Sequence, residues 1–328
     1  MSLRLGFLSC AHMHAHGYAN AGREREDVEL VGVWDHKPER ATEFARRWEM
    51  PTFEQLDALL ERSDAVVIAS ENVRHAEHIE LAASSGKHIL CEKPLATTED
   101  EAKRIRTAVE AAGVTFMTSF PCRLSPAYSA MRTRIQDGAI GAVLALCGTN
   151  RGTCPLDWFV EPQESGGGAL MDHVVHVADL MRDLLGESPS SVYAQTNSLR
   201  LDLACEDTAF LHFTFPSGVF GTLDGSWSRP SGYKTWGDVR LAAVGERGVI
   251  EADLFAQALD LFTNEAPTHR EIGYGSSLDR ELLTAFVHAV VEGGRPAITL
   301  DDGLAASAVA IAAVQSARNE ESVRVPVL

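Results

Sequence analysis

The chain has 328 residues, a formal net charge of −17 and 45% hydrophobic residues. That is enough for two domains, each with a proper core. The charge argues against nucleic acid or an anionic membrane as a partner, since both call for clustered Lys and Arg. The longest apolar runs, such as 305–314, are too short or too rich in alanine to span a bilayer. No leader pattern precedes the strand-like run at Leu3, so a cytoplasmic location is the expectation. Six cysteines (Cys10, Cys91, Cys122, Cys147, Cys154 and Cys205) form no C-x-x-C pair and read as reduced, mostly buried thiols.

The first 120 residues alternate two patterns. Leu3–Leu8, Val28–Trp34, Asp64–Ala69, Lys87–Cys91 and Val114–Thr118 are short apolar runs that read as strands. Between them, His12–Glu26, Pro38–Trp48, Val73–Ser84 and a stretch from Thr97 or Thr98 to Ala112 suit helices. Pro38 is placed to open one helix, and Gly86 and Gly113 to close two others. Strands alternating with helices imply a parallel sheet wound on both faces, a Rossmann-type α/β domain over residues 1–121. From about Pro121 the pattern changes. After one helix led by Gly166-Gly167-Gly168 come strand-like stretches at Ser191–Leu199, Asp207–Phe215, Gly218–Ser228, Asp238–Val244 and Gly248–Asp253, joined by hairpin-like turns. Arg280–Glu292 and Asp302–Ala317 suit closing helices. Residues 122–328 are therefore expected to form an α+β domain with a large, mostly antiparallel open sheet.

A dinucleotide site needs a glycine-rich turn after the first strand, so that the backbone can approach the pyrophosphate at a helix N-terminus. Here the matching positions read Ser9-Cys10-Ala11-His12-Met13-His14: two glycines have become small residues and the third is His14. An α/β sheet without a nucleotide stays open on this motif alone. Asp35, at the end of the second strand, is placed either to receive the adenosine ribose hydroxyls or to cap the helix that Pro38 opens. In the first role its charge would repel a 2′-phosphate and favour NAD over NADP, a preference that His36 and Lys37 can soften. Cys91-Glu92-Lys93-Pro94 follows a parallel strand, at the sheet edge where such folds bind ligands. A lysine there can hold a substrate hydroxyl and stabilise a developing alkoxide; a surface salt bridge is the plainer alternative.

Strand, Glu92-Lys93-Pro94 and the helix start Leu95-Ala96-Thr97-Thr98 together resemble the Gfo/Idh/MocA oxidoreductases, which include glucose–fructose oxidoreductase and inositol dehydrogenases. The resemblance runs over nearly the whole chain. Ala69–His75 is similar to the family's cofactor-contacting stretch, with Glu71 in place of a proline. Arg123–Gly141 is similar to its interdomain segment, and Gly166–Asp179 to its substrate-domain signature. Residues 284–286, 292–296 and 306–317 close the chain in the family's manner. The resemblance implies NAD as cofactor, with NADP also open. It implies cofactor contacts from Ser9, Ala11, His12, Met13 and His14, from Asp35, from Ser70, Asn72 and His75, and from Glu92 and Lys93.

Asp172 and His176 are four residues apart and share a helix face. Asp179 and Asp183 continue the stripe on an otherwise apolar helix, so the stripe needs solvent, partners or a cavity. The resemblance places Asp172 and His176 in the substrate site beside Lys93. Histidine titrates near neutrality and serves as acid and base. The assignment is His176 as general acid/base, Asp172 orienting it or binding a hydroxyl, and Lys93 on the reacting oxygen. Arg123, Trp158 and His173 are the substrate-side candidates, with Tyr233, Lys234 and Trp236 beside them; Phe159 stands where the family usually has arginine. His12, His14 and His16 lie close together and could bind a divalent metal with His173 or His176. The expectation is no metal, with these histidines simply taking the glycines' place beside the cofactor. The function expected is an NAD(P)-dependent dehydrogenase or reductase acting on CH–OH groups of a sugar, polyol or related small molecule. The alternatives are an NAD-using glycoside hydrolase or lyase and a non-catalytic nucleotide sensor. A homodimer or homotetramer, covering the open sheet, is also expected.

Overall fold

The computed structural model describes residues 2–263, 268–273 and 277–328. Its first sheet is built from β1 (Leu3–Leu8), β2 (Val28–Trp34), β3 (Ala65–Ile68), β4 (His88–Cys91) and β5 (Phe116–Thr118), all paired in parallel in the order β2-β1-β3-β4-β5. Strands covered on both faces need unbroken apolar runs rather than alternation, and all four residues of β3 are buried. The covering helices are α1 (His14–Arg23), α2 (Pro38–Trp48), α3 (Leu56–Arg62), α4 (His75–Ser84) and α5 (Glu99–Ala112). Pro38 opens α2. Thr98 and Glu101 close a capping box on α5, which Gly113 ends in the left-handed region. A lone parallel bridge from Val33 to Thr52 adds a one-residue strand outside β2. Counting it, the sheet has the Rossmann order, and the crevice for a ligand lies beyond the ends of β1 and β3, where the order reverses.

The rest of the chain comprises α6 (Pro126–Gln136), β6 (Val143–Gly152), α7 (Pro162–Ser165), α8 (Ala169–Leu185), β7 (Ser191–Asn197), β8 (Thr208–Thr214), β9 (Phe220–Asp224), β10 (Gly237–Gly245), β11 (Gly248–Asp253), β12 (Ala258–Thr263), β13 (Thr268–Gly273), α9 (Leu278–Glu292), α10 (Leu300–Asn319) and β14 (Val323–Arg324). The second sheet runs β11-β10-β6-β9-β8-β7-β14. It is antiparallel except where β6 pairs with β9. No helix among the described residues is long and apolar enough to cross a membrane.

The inner strand β6 escapes the sequence reading because glycines interrupt its alternation. Those glycines are what let α8 lie on it. A Cβ on Gly148 would come within 2.5 Å of Val177, and one on Gly152 within 2.8 Å of the His173 ring. The buried residues of β6 are Leu146, Gly148, Asn150 and Gly152, so half of the strand's inward positions offer α8 bare backbone. In return α8 is buried along its whole first three turns, from Ala169 to Met181.

The two sheets are joined by the C-terminal helix and by charge. Ser307 on α10 accepts hydrogen bonds from the backbone N–H of Leu95 and Ala96, at 3.1 and 3.4 Å, and so holds the turn after Lys93. Arg123 follows β5 and reaches across to α8 and α10. Its Nε donates to Asp179 at 2.9 Å and its Nη1 to Asp302 at 3.1 Å; Asp183 lies 3.7 Å away. Removing one partner of a buried ion pair leaves the others uncompensated, at a cost of about 3–5 kcal/mol. Arg123→Ala should lower unfolding free energy by about that amount in a denaturant titration. A change below about 1 kcal/mol would contradict this account of the joint.

Candidate active site

Lys93 leaves the end of β4 and Asp172 sits in the first turn of α8. Their side chains are 4% and 7% exposed, and Nζ is 2.7 Å from Asp172 Oδ1. Trp227 donates its indole N–H to the other oxygen at 3.0 Å, and His173 Nε2 lies 3.3 Å from it. Burial alone would push the Asp172 carboxyl up, but Lys93, His173 and the Trp227 donor hold it far below the usual range. The pair is therefore ionic, and it connects the two sheets.

Beside it is a second buried carboxylate. Glu92 accepts from Tyr18 Oη at 2.5 Å, and His14 Nδ1 lies 3.3 Å away. Burial opposes its ionisation, but His12, His14 and Lys93 hold it well below the carboxylate range. Burial lowers His12 to about 3. For His14 burial works the same way, but the Glu92 charge and hydrogen bond outweigh it and raise the pKa. Nitrogens of His12 and His14 and an oxygen of Glu92 lie within 4.8 Å of one another. His12 Nδ1 accepts from the His14 backbone N–H at 3.2 Å, which leaves the neutral ring's proton on Nε2, 3.9 Å from Glu92 Oε2. His16 is apart from the group, accepting from the Trp48 indole at 2.8 Å.

Lys93, Asp172, His12 and His14 share a cavity of about 440 Å³ that also reaches Met13, Cys122, Asn150 and His176. His176 stands one turn after Asp172, edge-on to Phe120. Its Nδ1 is buried without a hydrogen-bond partner. Burial, reinforced by Lys93, pulls its pKa well below the ordinary value, so the ring is neutral. Asp172 is committed to Lys93 and Trp227, so it positions the lysine and not the His176 imidazole. Asn150 on β6 donates its amide to His173 O at 3.0 Å, and its Oδ1 is buried without a partner.

The crevice beyond β1 and β3 adjoins this cavity. Ser9 takes φ +68°, a region that favours glycine, and its hydroxyl donates to Asp35 at 2.8 Å. The turn thus keeps a glycine's conformation without the glycine. Asp35 also accepts from Cys10 N, Lys37 N, and Arg40 Nε and Nη2. Five donors on a group with about four lone-pair sites leave nothing for a ribose hydroxyl, so Asp35 shapes the turn and does not read the ribose. Across the crevice, Ser70 Oγ pairs with His78 at 2.9 Å, and Asn72 Nδ2 donates to Ser165 O at 2.8 Å. Glu71 Oε2 and Asn72 Oδ1 are buried acceptors without hydrogen bonds, which suits a group that brings hydroxyls. His75 lies below the crevice, between Pro94 O at 2.8 Å and Ser70 O at 3.1 Å, and so braces the Lys93 turn.

The substrate-side candidates divide. Trp236 lines the cavity. Arg123 does not, being held in the ionic joint between the sheets. Trp158 covers the cofactor turn, donating to Ala11 O at 3.2 Å, while its stacked neighbour Phe159 faces the cavity. His173 is fully buried behind the wall, and Tyr233 lies against Arg229. Asn150, Trp227 and Tyr18 were not singled out by the sequence. The parallel-strand context of Glu92 and Lys93 and the helical spacing of Asp172 and His176 carried the clearest signal.

A Rossmann sheet whose crevice opens onto a buried lysine, carboxylate and neutral histidine defines a nicotinamide-dependent oxidoreductase acting on CH–OH groups. Residues 5–120 match the oxidoreductase family with an NAD-binding Rossmann fold, and residues 128–251 match the GFO/IDH/MocA C-terminal domain. Inositol 2-dehydrogenase of Rhizobium meliloti (strain 1021) is 30% identical over 352 positions, covering 99% of this chain and 100% of that protein. Levoglucosan dehydrogenase of Pseudarthrobacter phenanthrenivorans is 39% identical over 164 positions, 47% of this chain and 42% of that protein. The crystal structure of GenD2 from gentamicin A biosynthesis, in complex with NAD, has the same fold, with a TM-score of 0.89 at 24% identity over 99% of this chain and 97% of that one. The chain belongs to the GFO/IDH/MocA oxidoreductase family.

The neutral state of His176 sets a pH dependence. Were His176 the base expected from the sequence, its protonated form, disfavoured by burial and by Lys93, would leave it competent to lower pH than a free imidazole, whose pKa is about 6.5. The acid limb of kcat/KM for alcohol oxidation should therefore fall below pH ~6.5. A limb centred at or above that value would show that another group is the base.

Proposed function

We propose that Lys93, Asp172 and His176 carry out reversible oxidation of a ring alcohol at a carbon that faces the nicotinamide. Bound NAD supplies the hydride acceptor. Residues 1–121 form the cofactor unit, with the turn from Ser9 to His14, the loop from Ser70 to Asn72 and Glu92 holding it. Residues 122–328 form the substrate and assembly unit. Lys93 Nζ binds the reacting oxygen and stabilises it as the proton leaves. Neutral His176 takes that proton, and returns it in the reductive direction. Asp172 and Trp227 keep Lys93 aimed. The observation that carries this reading is the neutral, unpartnered His176 in the same cavity as a lysine fixed by a carboxylate. Inositol and levoglucosan dehydrogenases among the relatives support a cyclic sugar or polyol as the substrate class.

Lys93→Ala and His176→Ala should each lower turnover by about 10²–10⁴-fold, read at the nicotinamide absorbance, while circular dichroism stays native. Near-normal turnover in either variant would remove that residue from the reaction.

The open face of the second sheet bears Phe210, Phe220, Val244 and Val249, all exposed. A second copy covering that patch is the assembly this reading expects, in the cytoplasm. Sedimentation should give a dimer or tetramer of the 35.5 kDa chain; a monomer at micromolar concentration would contradict it.

A further inference from the structure

The charges around the cavity do not balance. Lys93 is matched by Asp172 at 2.7 Å, and His14 by the buried Glu92 at 3.3 Å. Burial holds His12 and His176 neutral. The charged group left over on the wall is Asp279, in the first turn of α9. It is partly exposed. Among the described residues it has no hydrogen bond, and no cation lies within ion-pair distance of it. Burial raises its pKa; the His14 charge draws it down, and Glu92 pushes it up again.

The carboxylate has a seat of its own. It lies against α1 at Gly17, where a Cβ would collide with Oδ2. Gly17 is inside a ten-residue helix, where glycine is less stable than alanine. The helix is thus weakened at the one place that admits the acid. Service to α9 alone does not explain it. Ser277 already caps that helix, and Glu281 already places a negative charge in its first turn. Neither task needs a carboxylate on the cavity wall. The rest of the wall offers no remedy for the excess charge. No arginine lines it, and Lys93, 4% exposed, is bound to Asp172.

We propose that Asp279 selects the substrate by charge: it takes an ammonium group on the ring alcohol, takes hydroxyls less strongly, and turns away carboxylate and phosphate groups. An ammonium brings both the donor and the charge that this carboxylate lacks. A hydroxyl brings the donor alone. An anionic group brings neither, and meets Asp279 with no free cation to offset the repulsion. Lys93 and His14 do not repel the ammonium strongly, because each is offset by its own carboxylate. The substrate class is an amino-substituted sugar or cyclitol ahead of its neutral parent, with uronates and sugar phosphates excluded. This inference rests on the reading that the cavity is the site of alcohol oxidation.

The experiment uses two series on the NAD-loaded protein at pH 7. D-glucose and D-galactose are each compared with the 6-amino-6-deoxy sugar and with the 6-carboxylate, D-glucuronate or D-galacturonate. In any series that is oxidised, the amine should have a KM at least threefold below the parent's, and the acid at least tenfold above it. Asp279→Asn removes the charge and keeps the shape. It should narrow the whole gap to less than threefold while the Kd for NAD changes by less than threefold. An amine no better than its parent, an acid no worse, or a gap that survives Asp279→Asn would overturn the inference. So would an Asp279→Asn variant that weakens NAD binding tenfold with the order of the sugars intact, since the carboxylate would then serve the cofactor. Absence of turnover in both series would count against the oxidation reading instead. Calorimetric binding to the NAD-loaded protein then decides the inference separately. Affinity falling from amine to parent to acid, and levelled by Asp279→Asn, would uphold it; any other order, or binding of none, would overturn it.

Discussion

The ion pair between Lys93 and Asp172 is the constraint on which the rest of this structure depends. Two charges taken almost wholly out of water are tolerable only if each is matched and hydrogen-bonded. Asp172 meets that condition with Lys93 on one oxygen and Trp227 on the other. Because the lysine belongs to the first sheet and the aspartate to a helix on the second, the pair also fixes how the two halves meet. The neighbouring groups serve the same geometry. His75 and Ser307 hold the turn that carries the lysine, and the glycines of β6 let the helix that carries the aspartate come close. The site lies at the joint between the two sheets, where these contacts meet.

The altered glycine turn shows how one backbone shape can be reached with different side chains. Ser9 sits in a left-handed conformation that usually calls for glycine. Its hydroxyl is bound to Asp35, whose carboxylate also gathers two backbone N–H groups and Arg40. The acid expected to read the ribose instead holds the turn open. The third glycine's replacement, His14, turns towards Glu92 and helps keep that buried carboxylate charged. The loop thus replaces backbone freedom with a network of charges.

How much of this was legible in the sequence follows from what each residue's role depends on. The parallel sheet was legible because strands buried on both faces are unbroken apolar runs. Glu92, Lys93, Asp172 and His176 were legible because their local setting, strand end or helix face, fixes where they point, and because the family resemblance joined them. Strand β6 was hidden because its glycines look like breaks until the helix above them is seen. Asn150 and Trp227 were hidden with it, since their partners are 23 and 55 residues away in the chain. Arg123 was misjudged as a substrate residue because a lone arginine after a strand gives no sign of the acids on two later helices that hold it. Asp35 was rightly placed at the end of its strand, but position alone could not reveal that five donors had already claimed it.

The central claim is that one cavity brings the nicotinamide to a hydroxyl held by Lys93 and His176. A crystal structure of the protein with NAD tests it most directly. The account predicts the nicotinamide ring inside the cavity, between Met13 and Lys93, with its reactive carbon facing the space shared by Lys93 Nζ and His176. A nicotinamide ring outside the cavity, with the His14 imidazole in its place, would contradict it.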